Sequence, residues 1–252
     1  MGAPRRTRGS ERTARAEGRT RRVEVTAAGQ APGNATRERI ITTAERLFAE
    51  QGVSVSNRQI GEAAGQANNS VVGYHFGTKA DLVLAVVRRH APDIEQRRAA
   101  MLEGLARPGD LGGWLECVVK PITDHLDSLG TPSWYARFLA QTATDPALRQ
   151  VVFDETIASP SMRTTIEGVI RLLPVLPLKI HEERGDMTRH IIVHTCAERE
   201  RALHASTPTP HETWDDAAFG MVDALIGLWR GPVRSKRPRR ARPTSPNDGG
   251  SP

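Results

Sequence analysis

The sequence predicts an all-α protein, and two observations carry that prediction. Between Asn34 and Arg230 the apolar side chains recur at spacings of three and four residues, which is typical of amphipathic helices. Val, Ile and Thr in strict alternation, which would indicate half-buried strands, do not occur in this stretch. The pattern predicts about nine or ten helices, flanked by a basic segment at each end of the chain.

The formal net charge of +6 is unevenly distributed over the 252 residues. Residues 1–33 and residues 233–252 each carry a net +5, so residues 34–232 carry −4. Both ends have too few large apolar side chains to offset the entropy cost of ordering, and we expect both to be disordered. Such tails attract nucleic acid without sequence preference, or they act only as solubilising segments. An acidic membrane surface is a weaker candidate partner, because neither tail has an apolar face.

Composition also excludes several classes of protein. No stretch approaches 18 uninterrupted apolar residues, and the Arg-rich N-terminus has no apolar core typical of a secretory signal. The two cysteines, Cys117 and Cys196, lie far apart, which excludes a disulfide scaffold and a cysteine-rich zinc module. We expect a cytoplasmic protein that does not contact a membrane.

The first helices have clear start and stop signals. The first helix has an apolar stripe and ends at Gly52; the stripe comprises Ile40, Ile41, Ala44, Leu47 and Phe48. Ser56 followed by Gln59 is a capping box that opens a short helix over 57–64, and Gly65 breaks the chain after it. The third helix is expected to begin at the capping types Asn68, Asn69 and Ser70 and to run through Tyr74. Thr78 followed by Asp81 begins a long helix.

The later helices follow from the same signals. Pro92 is expected to kink the long helix or to restart it. Asp145-Pro146 and Ser159-Pro160 each place a capping residue before a proline at the first helical position. The remaining helices are expected at 110–129, 133–144, 146–158, 160–173, 178–205 and 212–229.

The second and third helices are short, and a tight glycine-containing turn joins them, which is the spacing of a helix-turn-helix. A short polar helix can enter a DNA major groove about 12 Å wide, and asparagine can pair with adenine, although it is equally common as a helix cap. Val71 and Val72 could meet a thymine methyl or the domain core. Tyr74, His75 and Lys79 can reach phosphates. Alternatively, these helices are plain packing units.

Residues 37–83, RERIITTAERLFAEQGVSVSNRQIGEAAGQANNSVVGYHFGTKADLV, resemble the DNA-binding domain of the TetR/AcrR family of bacterial regulators. The matching positions are Ile40, Ala44, Leu47, Phe48, Gly52, Ile60, 63–65 and 74–79. The sequence departs from the family pattern in three ways: Asn57 replaces the usual Thr, Gly73 precedes Tyr74 where an aromatic is frequent, and the interval from Ile60 to Tyr74 is one residue longer. The resemblance implies that Phe76 is core and that Arg58, Tyr74, His75 and Lys79 contact the DNA backbone. The candidates for base contact are Gln66, Asn68, Asn69 and Ser70.

The resemblance also implies a division of the chain into a DNA-binding domain at 34–81 and an effector-binding and dimerisation domain at 82–232. The last two helices would form a four-helix bundle with a partner subunit, although their apolar stripe fits ordinary core equally well. A cavity for an apolar or aromatic small molecule would lie between the middle helices, unless the aromatic cluster there only packs. Its candidate lining residues are Trp114, Cys117, Trp134, Tyr135, Phe138 and Phe153.

Catalytic and metal chemistry find little support in the sequence. His190 and His194 have a zinc-compatible spacing, but no acidic residue directly follows His190 as in a metalloprotease helix, and a solvated or core pair is the alternative. Phosphate loops and nucleophile motifs do not occur, so we expect no enzyme, no cofactor, no metal and no catalytic residue. Cys117 or Cys196 could sense oxidants, against the default of buried structural thiols.

We therefore expect a homodimeric repressor that binds a palindromic operator in double-stranded DNA and is released by a small-molecule effector; activation is the alternative regulatory outcome. One rival is a sequence-independent nucleic-acid-binding protein that acts through its basic tails. The other is an all-α ligand-binding or stress protein whose short helices only pack.

Overall fold

The computed structural model describes residues 32–68, 70–105 and 109–233. In this part of the chain all regular structure is helical. The ten helices are α1 (Pro32–Gln51), α2 (Asn57–Ala63), α3 (Val71–Phe76), α4 (Lys79–Glu103), α5 (Leu111–Leu129), α6 (Tyr135–Thr142), α7 (Pro146–Ala158), α8 (Pro160–Leu172), α9 (Leu178–His204) and α10 (Trp214–Arg230).

An N-terminal unit is formed by α1, α2, α3 and the first turn of α4. Its core consists of apolar side chains that are completely or almost completely buried. These are Ile40, Ile41, Ala44, Phe48, Val55, Ile60, Val72, Phe76, Leu82 and Val83. The predicted stripe of the first helix is thus confirmed as core, and so is the expected burial of Phe76.

The helical body comprises α5–α10, and α4 and α1 connect it to the N-terminal unit. α5 packs along α10, while α6 lies between α1 and α9. The rings of Phe48 on α1 and Phe138 on α6 are 6.2 Å apart. Because α1 belongs to the N-terminal unit and also contacts α6, a movement of the body can reach the N-terminal unit through this helix.

Glu200 holds the start of α6 against α9. Its carboxylate is buried and accepts hydrogen bonds from the Ser133 hydroxyl at 2.9 Å, from the Ala136 amide at 3.2 Å and from the Arg137 amide at 2.9 Å. The Arg137 guanidinium donates a further bond of 3.2 Å. A buried carboxylate is tolerated only when it is paired and hydrogen-bonded, and Glu200 meets both conditions.

Most predicted helix starts are confirmed. Both capping boxes form, at Ser56 and Thr78, and α7 and α8 begin at the prolines after Asp145 and Ser159. The expectation that Pro92 restarts the long helix is wrong, because α4 runs through it without a break. Buried residues on both sides, His90 and Arg98, hold the two halves of α4 against the same body.

Smaller differences lie at helix ends. α3 extends two residues beyond Tyr74, to Phe76, and α6 begins two residues after Ser133, whose hydroxyl is engaged by Glu200. α10 begins at Trp214 because Thr213 and Asp216 form a third capping box, a signal that the sequence contains.

The predicted tails lie almost wholly outside the described residues. Among the described helices, none has the length and apolar character needed to cross a bilayer.

Candidate nucleic-acid interface

The start of α2 is fixed by reciprocal hydrogen bonds. The Gln59 amide donates to Ser56 Oγ at 3.2 Å, and the Ser56 amide donates to Gln59 Oε1 at 2.9 Å. At the first turn Arg58 is largely exposed and forms an ion pair of 2.8 Å with Glu62. Since an exposed pair of this kind contributes little to stability, the Arg58 guanidinium remains available to a phosphate.

The turn between α2 and α3 depends on local backbone and side-chain bonds. Gly65 has a φ of +71°, a conformation that residues with a Cβ adopt only at a cost. The Gln66 amide donates to the Gly61 carbonyl at 3.0 Å. Asn68 Oδ1 accepts bonds from the Ser70 amide at 2.9 Å and from the Ser70 hydroxyl at 2.7 Å. Asn68 therefore caps the approach to α3, as its type allows, and the residue is exposed.

The two faces of α3 have opposite character. Val72 and Phe76 are buried in the core of the N-terminal unit, which excludes Val72 from base contact, and Val71 is half-buried against that core. The opposite face carries Ser70 and Tyr74, four residues apart, and the Tyr74 side chain is 85% exposed. A solitary exposed tyrosine on a short, well-anchored helix gains nothing for the fold, so its ring is available to a partner.

The remaining predicted contact residues are placed as follows. Gln66 is half-buried and donates to the Ala64 carbonyl at 3.2 Å, and Asn69 lies outside the described residues. His75 is half-buried, with its ring 5.2 Å from that of Tyr74 in an edge contact. Lys79 is also half-buried, because its ammonium donates a bond of 2.6 Å to the Val53 carbonyl. Of the predicted contact residues that the structure describes, Arg58, Asn68, Ser70 and Tyr74 are exposed, whereas Gln66, His75 and Lys79 are half-buried.

A cleft of about 430 Å³ lies beside α3, and among its basic residues the sequence predicted a DNA contact for His75 alone. It is lined by His75 together with Arg37 of α1 and Arg88 and Arg89 of α4. The Arg37 guanidinium lies 5.1 Å from the centre of the Phe76 ring. This cation–π contact joins α1 to α3. The periodicity of α1 indicated only its apolar stripe, so no sequence signal assigned Arg37 a role.

The predicted effector residues do not share one cavity. Cys117 lines a cavity of about 390 Å³ between α4 and α5, together with Met101, Leu105, Asp110 and Glu116. Trp114 packs instead against Gly168 on α8, and Phe153 is exposed on α7.

The other aromatic candidates are engaged by α1 and α4. Phe138 contacts Phe48, and the Tyr135 ring stacks on that of His90 at 3.8 Å. Trp134 Nε1 donates a bond of 3.2 Å to Glu50 of α1. Trp134 and Phe138 therefore contact α1 of the N-terminal unit, and Tyr135 contacts α4 beyond its first turn.

The thiols and the paired histidines have these surroundings. Burial raises the pKa of the Cys117 thiol and raises that of Cys196 to about 12, which leaves little reactive thiolate in either. The His190 and His194 rings stack 5.9 Å apart on the exposed face of α9. Within the described residues, no three His, Cys, Asp or Glu side chains are grouped so that they could hold a metal ion.

The comparisons with known proteins agree with this geometry. Residues 40–86 match the family model of the bacterial regulatory proteins of the tetR family. Over 152 residues the chain is 30% identical to the HTH-type transcriptional repressor AcnR of Corynebacterium glutamicum, a match that covers 58% of this chain and 73% of that protein.

Two solved structures also align with the chain. A TetR-family regulator of Streptomyces coelicolor A3 has 22% identity and a TM-score of 0.40, covering 80% of this chain and 98% of that one. NalD, the secondary repressor of the MexAB-OprM multidrug efflux pump in Pseudomonas aeruginosa, has 20% identity and a TM-score of 0.40, covering 79% and 98%. From the family match and the similarity to AcnR, the chain belongs to the TetR family of bacterial regulatory proteins and is a DNA-binding transcriptional regulator.

Proposed function

We propose that this chain is a homodimeric repressor that binds a palindromic operator through α3 and leaves it when a small molecule binds the helical body. The observation that carries the proposal is the two-faced character of α3. Val72 and Phe76 hold the helix in the core while Tyr74 projects into solvent, 85% exposed. The similarity to a protein named as a transcriptional repressor favours repression over activation.

The DNA contacts divide by chemistry. Arg58, Tyr74, His75 and Lys79 would contact phosphates, which position the N-terminal unit without reading sequence. Gln66, Asn68, Asn69 and Ser70 precede α3 and would face the bases, where amide side chains can pair with adenine. In a dimer, two α3 helices about 34–36 Å apart would enter successive major grooves, so the operator would have two symmetric half-sites.

The dimer would form through α9 and α10. Met187 on α9 and Phe219 on α10 are large apolar side chains that the single chain leaves 48% and 67% exposed. A homodimer interface buries such residues at its centre. Sedimentation of a Phe219→Asp variant tests this: we expect a monomer, whereas Phe153→Asp, which changes an exposed phenylalanine on α7, should remain dimeric. Equal masses for the two variants would count against this interface.

The effector would bind the helical body. The cavity between α4 and α5 combines apolar walls from Met101 and Leu105 with the carboxyl groups of Asp110 and Glu116, which favours a small molecule with an apolar part and a polar part. Since α4 also forms part of the N-terminal unit, a ligand that prefers one position of α4 would shift the distance between the two α3 helices. Release then requires that the ligand bind the DNA-free geometry better than the DNA-bound one.

The DNA-binding face is tested by Tyr74→Ala, with Phe153→Ala as the matched control. Both residues are exposed aromatics, so neither change should alter the free energy of unfolding by more than about 0.5 kcal/mol. We expect Tyr74→Ala to weaken operator binding about tenfold, which corresponds to about 1.4 kcal/mol, and Phe153→Ala to leave it unchanged. Equal operator affinities for the two variants would exclude Tyr74 from the interface.

A further inference from the structure

Four polar side chains form a continuous chain of contacts inside the protein. Glu45 Oε2 lies 3.2 Å from His90 Nε2, His90 Nδ1 lies 2.8 Å from His125 Nε2, and His125 Nδ1 lies 2.6 Å from Asp93 Oδ2. Glu45, His90 and His125 are each no more than 5% exposed. No step of the DNA-binding mechanism uses this carboxylate–imidazole–imidazole–carboxylate chain, and no pattern in the sequence indicated it.

The chain of contacts spans the junction between the N-terminal unit and the helical body. Glu45 belongs to α1, His90 and Asp93 belong to α4, and His125 belongs to α5. Tyr135 of α6 stacks on His90 with the ring centres 3.8 Å apart. α4 and α6, which pack against α1, and α5, which lines the proposed effector cavity, each contribute a side chain to this cluster.

Two arginines lie against the carboxyl groups at the ends of this chain of contacts. Arg89 forms an ion pair of 2.5 Å with Glu45, and Arg97 forms one of 2.8 Å with Asp93. The hydrogen bonds from Arg97 and His125 hold the pKa of Asp93 below its ordinary value. On α5, Asp124 is next to His125 in sequence and interacts with Arg97. On α6, the Tyr135 phenol belongs to the ring that stacks on His90, and burial raises its pKa.

Counting hydrogens gives the protonation state of this geometry. Ionised carboxylates only accept hydrogen bonds, so His90 Nε2 and His125 Nδ1 must both carry a hydrogen. The contact of 2.8 Å between the two rings needs a third hydrogen, since two lone pairs at that distance repel each other. Two neutral imidazoles supply only two hydrogens. The observed set of three contacts is therefore that of a pair holding one extra proton.

We propose that His90 and His125 together form a binding site for one proton, and that this proton completes the contact between the N-terminal unit and the helical body. When the proton leaves, one of the three contacts must break, which loosens α1, α4 and α5 relative to one another. This inference rests on the proposed function only where it concerns DNA affinity; the proton site itself stands on the geometry.

The pH range follows from the surroundings of the pair. Burial lowers the pKa of His125 from its ordinary 6.5, and the hydrogen bond to Asp93 opposes that effect. The proton therefore binds as the pH falls below about 6.5, within the range where histidine acts as a switch.

Imidazole NMR of the full chain tests the site without DNA. Between about pH 5 and pH 8 the His90 and His125 resonances should titrate together in one step below about pH 6.5, the coupled behaviour of interacting groups. A His125→Gln variant should abolish that common step for His90, and His204→Gln, which changes an exposed histidine at the end of α9, should preserve it. Independent titration of the two rings in the wild-type chain would overturn the proposal, whether or not the variant folds.

A second measurement tests the link to DNA. We expect operator affinity to differ several-fold between about pH 5.5 and about pH 7.5 in the wild-type chain, and this difference to shrink in His125→Gln. His75 is present in both proteins, so any contribution that it makes to the pH dependence of operator affinity is the same in both. An identical pH dependence in the two proteins would overturn the coupling. Failure of the wild-type chain to bind operator at either pH would instead contradict the proposed function and leave the NMR result intact.

Discussion

The Lys79 ammonium donates a hydrogen bond of 2.6 Å to the backbone carbonyl of Val53, which ties the start of α4 to the loop after α1. The two residues are 26 positions apart in sequence. The bond therefore joins the segment that precedes α2 to the segment that follows α3. An ammonium group has three hydrogens, so Lys79 can hold Val53 and still donate to a phosphate.

Replacing Lys79 with Gln should affect both stability and DNA binding. Loss of the charged hydrogen bond should lower the free energy of unfolding by about 1–2 kcal/mol, because Lys79 is only half-buried. If Lys79 also contacts a phosphate, the slope of log affinity against log salt should fall by about one.

Urea denaturation and DNA titrations at several salt concentrations measure the two effects separately. Arg163→Gln, a change to an exposed residue on α8, is the control for charge alone. An unchanged salt slope would restrict Lys79 to its structural role, and unchanged stability would contradict the importance of its bond to Val53.

Gly168 marks a close approach between α8 and α5. A Cβ built on Gly168 would lie 2.2 Å from Cε3 of the Trp114 indole, which is far inside van der Waals contact. Gly168→Ala should therefore destabilise the protein by about 1–3 kcal/mol through overpacking. Gly185→Ala is the matched control: nothing lies within 4 Å of its Cβ position on α9, so the change should stabilise the chain by about 0.5–1 kcal/mol. Effects of the same sign in thermal denaturation would contradict this packing.

The ion pair between Arg88 and Glu155 joins α4 to α7 and predicts a pH dependence. Arg88 donates bonds of 2.7 and 2.8 Å to the two carboxylate oxygens, and these bonds hold the pKa of Glu155 below its ordinary 4.5. A carboxyl group with a lowered folded-state pKa stabilises the fold above its ordinary pKa and loses that contribution as the pH falls.

Denaturation of Glu155→Gln against pH should show the corresponding difference. At pH 7 the variant should be less stable by up to about 1 kcal/mol, since Arg88 is largely exposed, and the gap should close as the pH falls below about 4. Glu167→Gln, which changes an exposed carboxylate on α8, should match the wild type throughout. A difference in stability that persists at acid pH would show that the variant loses packing contacts rather than the ion pair.

Local signals in the sequence predicted much of the fold. Ser56, Thr78, Asp145 and Ser159 each cap a helix where their spacing to Gln59, Asp81 or a following proline indicated. Such caps depend on neighbours within three residues, so they can be identified without the fold. The prediction that the helix restarts at Pro92 was wrong because it considered only local sequence. Burial of His90 and Arg98 in contacts with distant residues keeps α4 continuous through Pro92.

The site was predictable only in part. The burial of Phe76 and a partner contact of Tyr74 follow from the family resemblance. For Val72 the sequence left base contact and core packing open, and the structure buries it in the core. The bond from Lys79 to Val53 and the contact of Arg37 with Phe76 join residues more than 25 positions apart, and neither leaves a periodic trace.

The six proposed effector residues share aromatic or thiol character, but the fold does not bring them together. Cys117 lines the cavity beside α4, Trp114 packs against α8 and Phe153 is exposed. Trp134, Tyr135 and Phe138 contact α1 or α4.

A titration of the full chain against DNA from upstream of its own gene tests the central claim most directly. Fluorescence anisotropy at two salt concentrations, with excess random DNA as competitor, separates sequence recognition from attraction by the basic tails. The account predicts saturable binding that weakens with salt and survives the competitor. If excess random DNA competes the protein off this DNA, that result would contradict operator recognition at that site. It would leave the tails as the source of affinity.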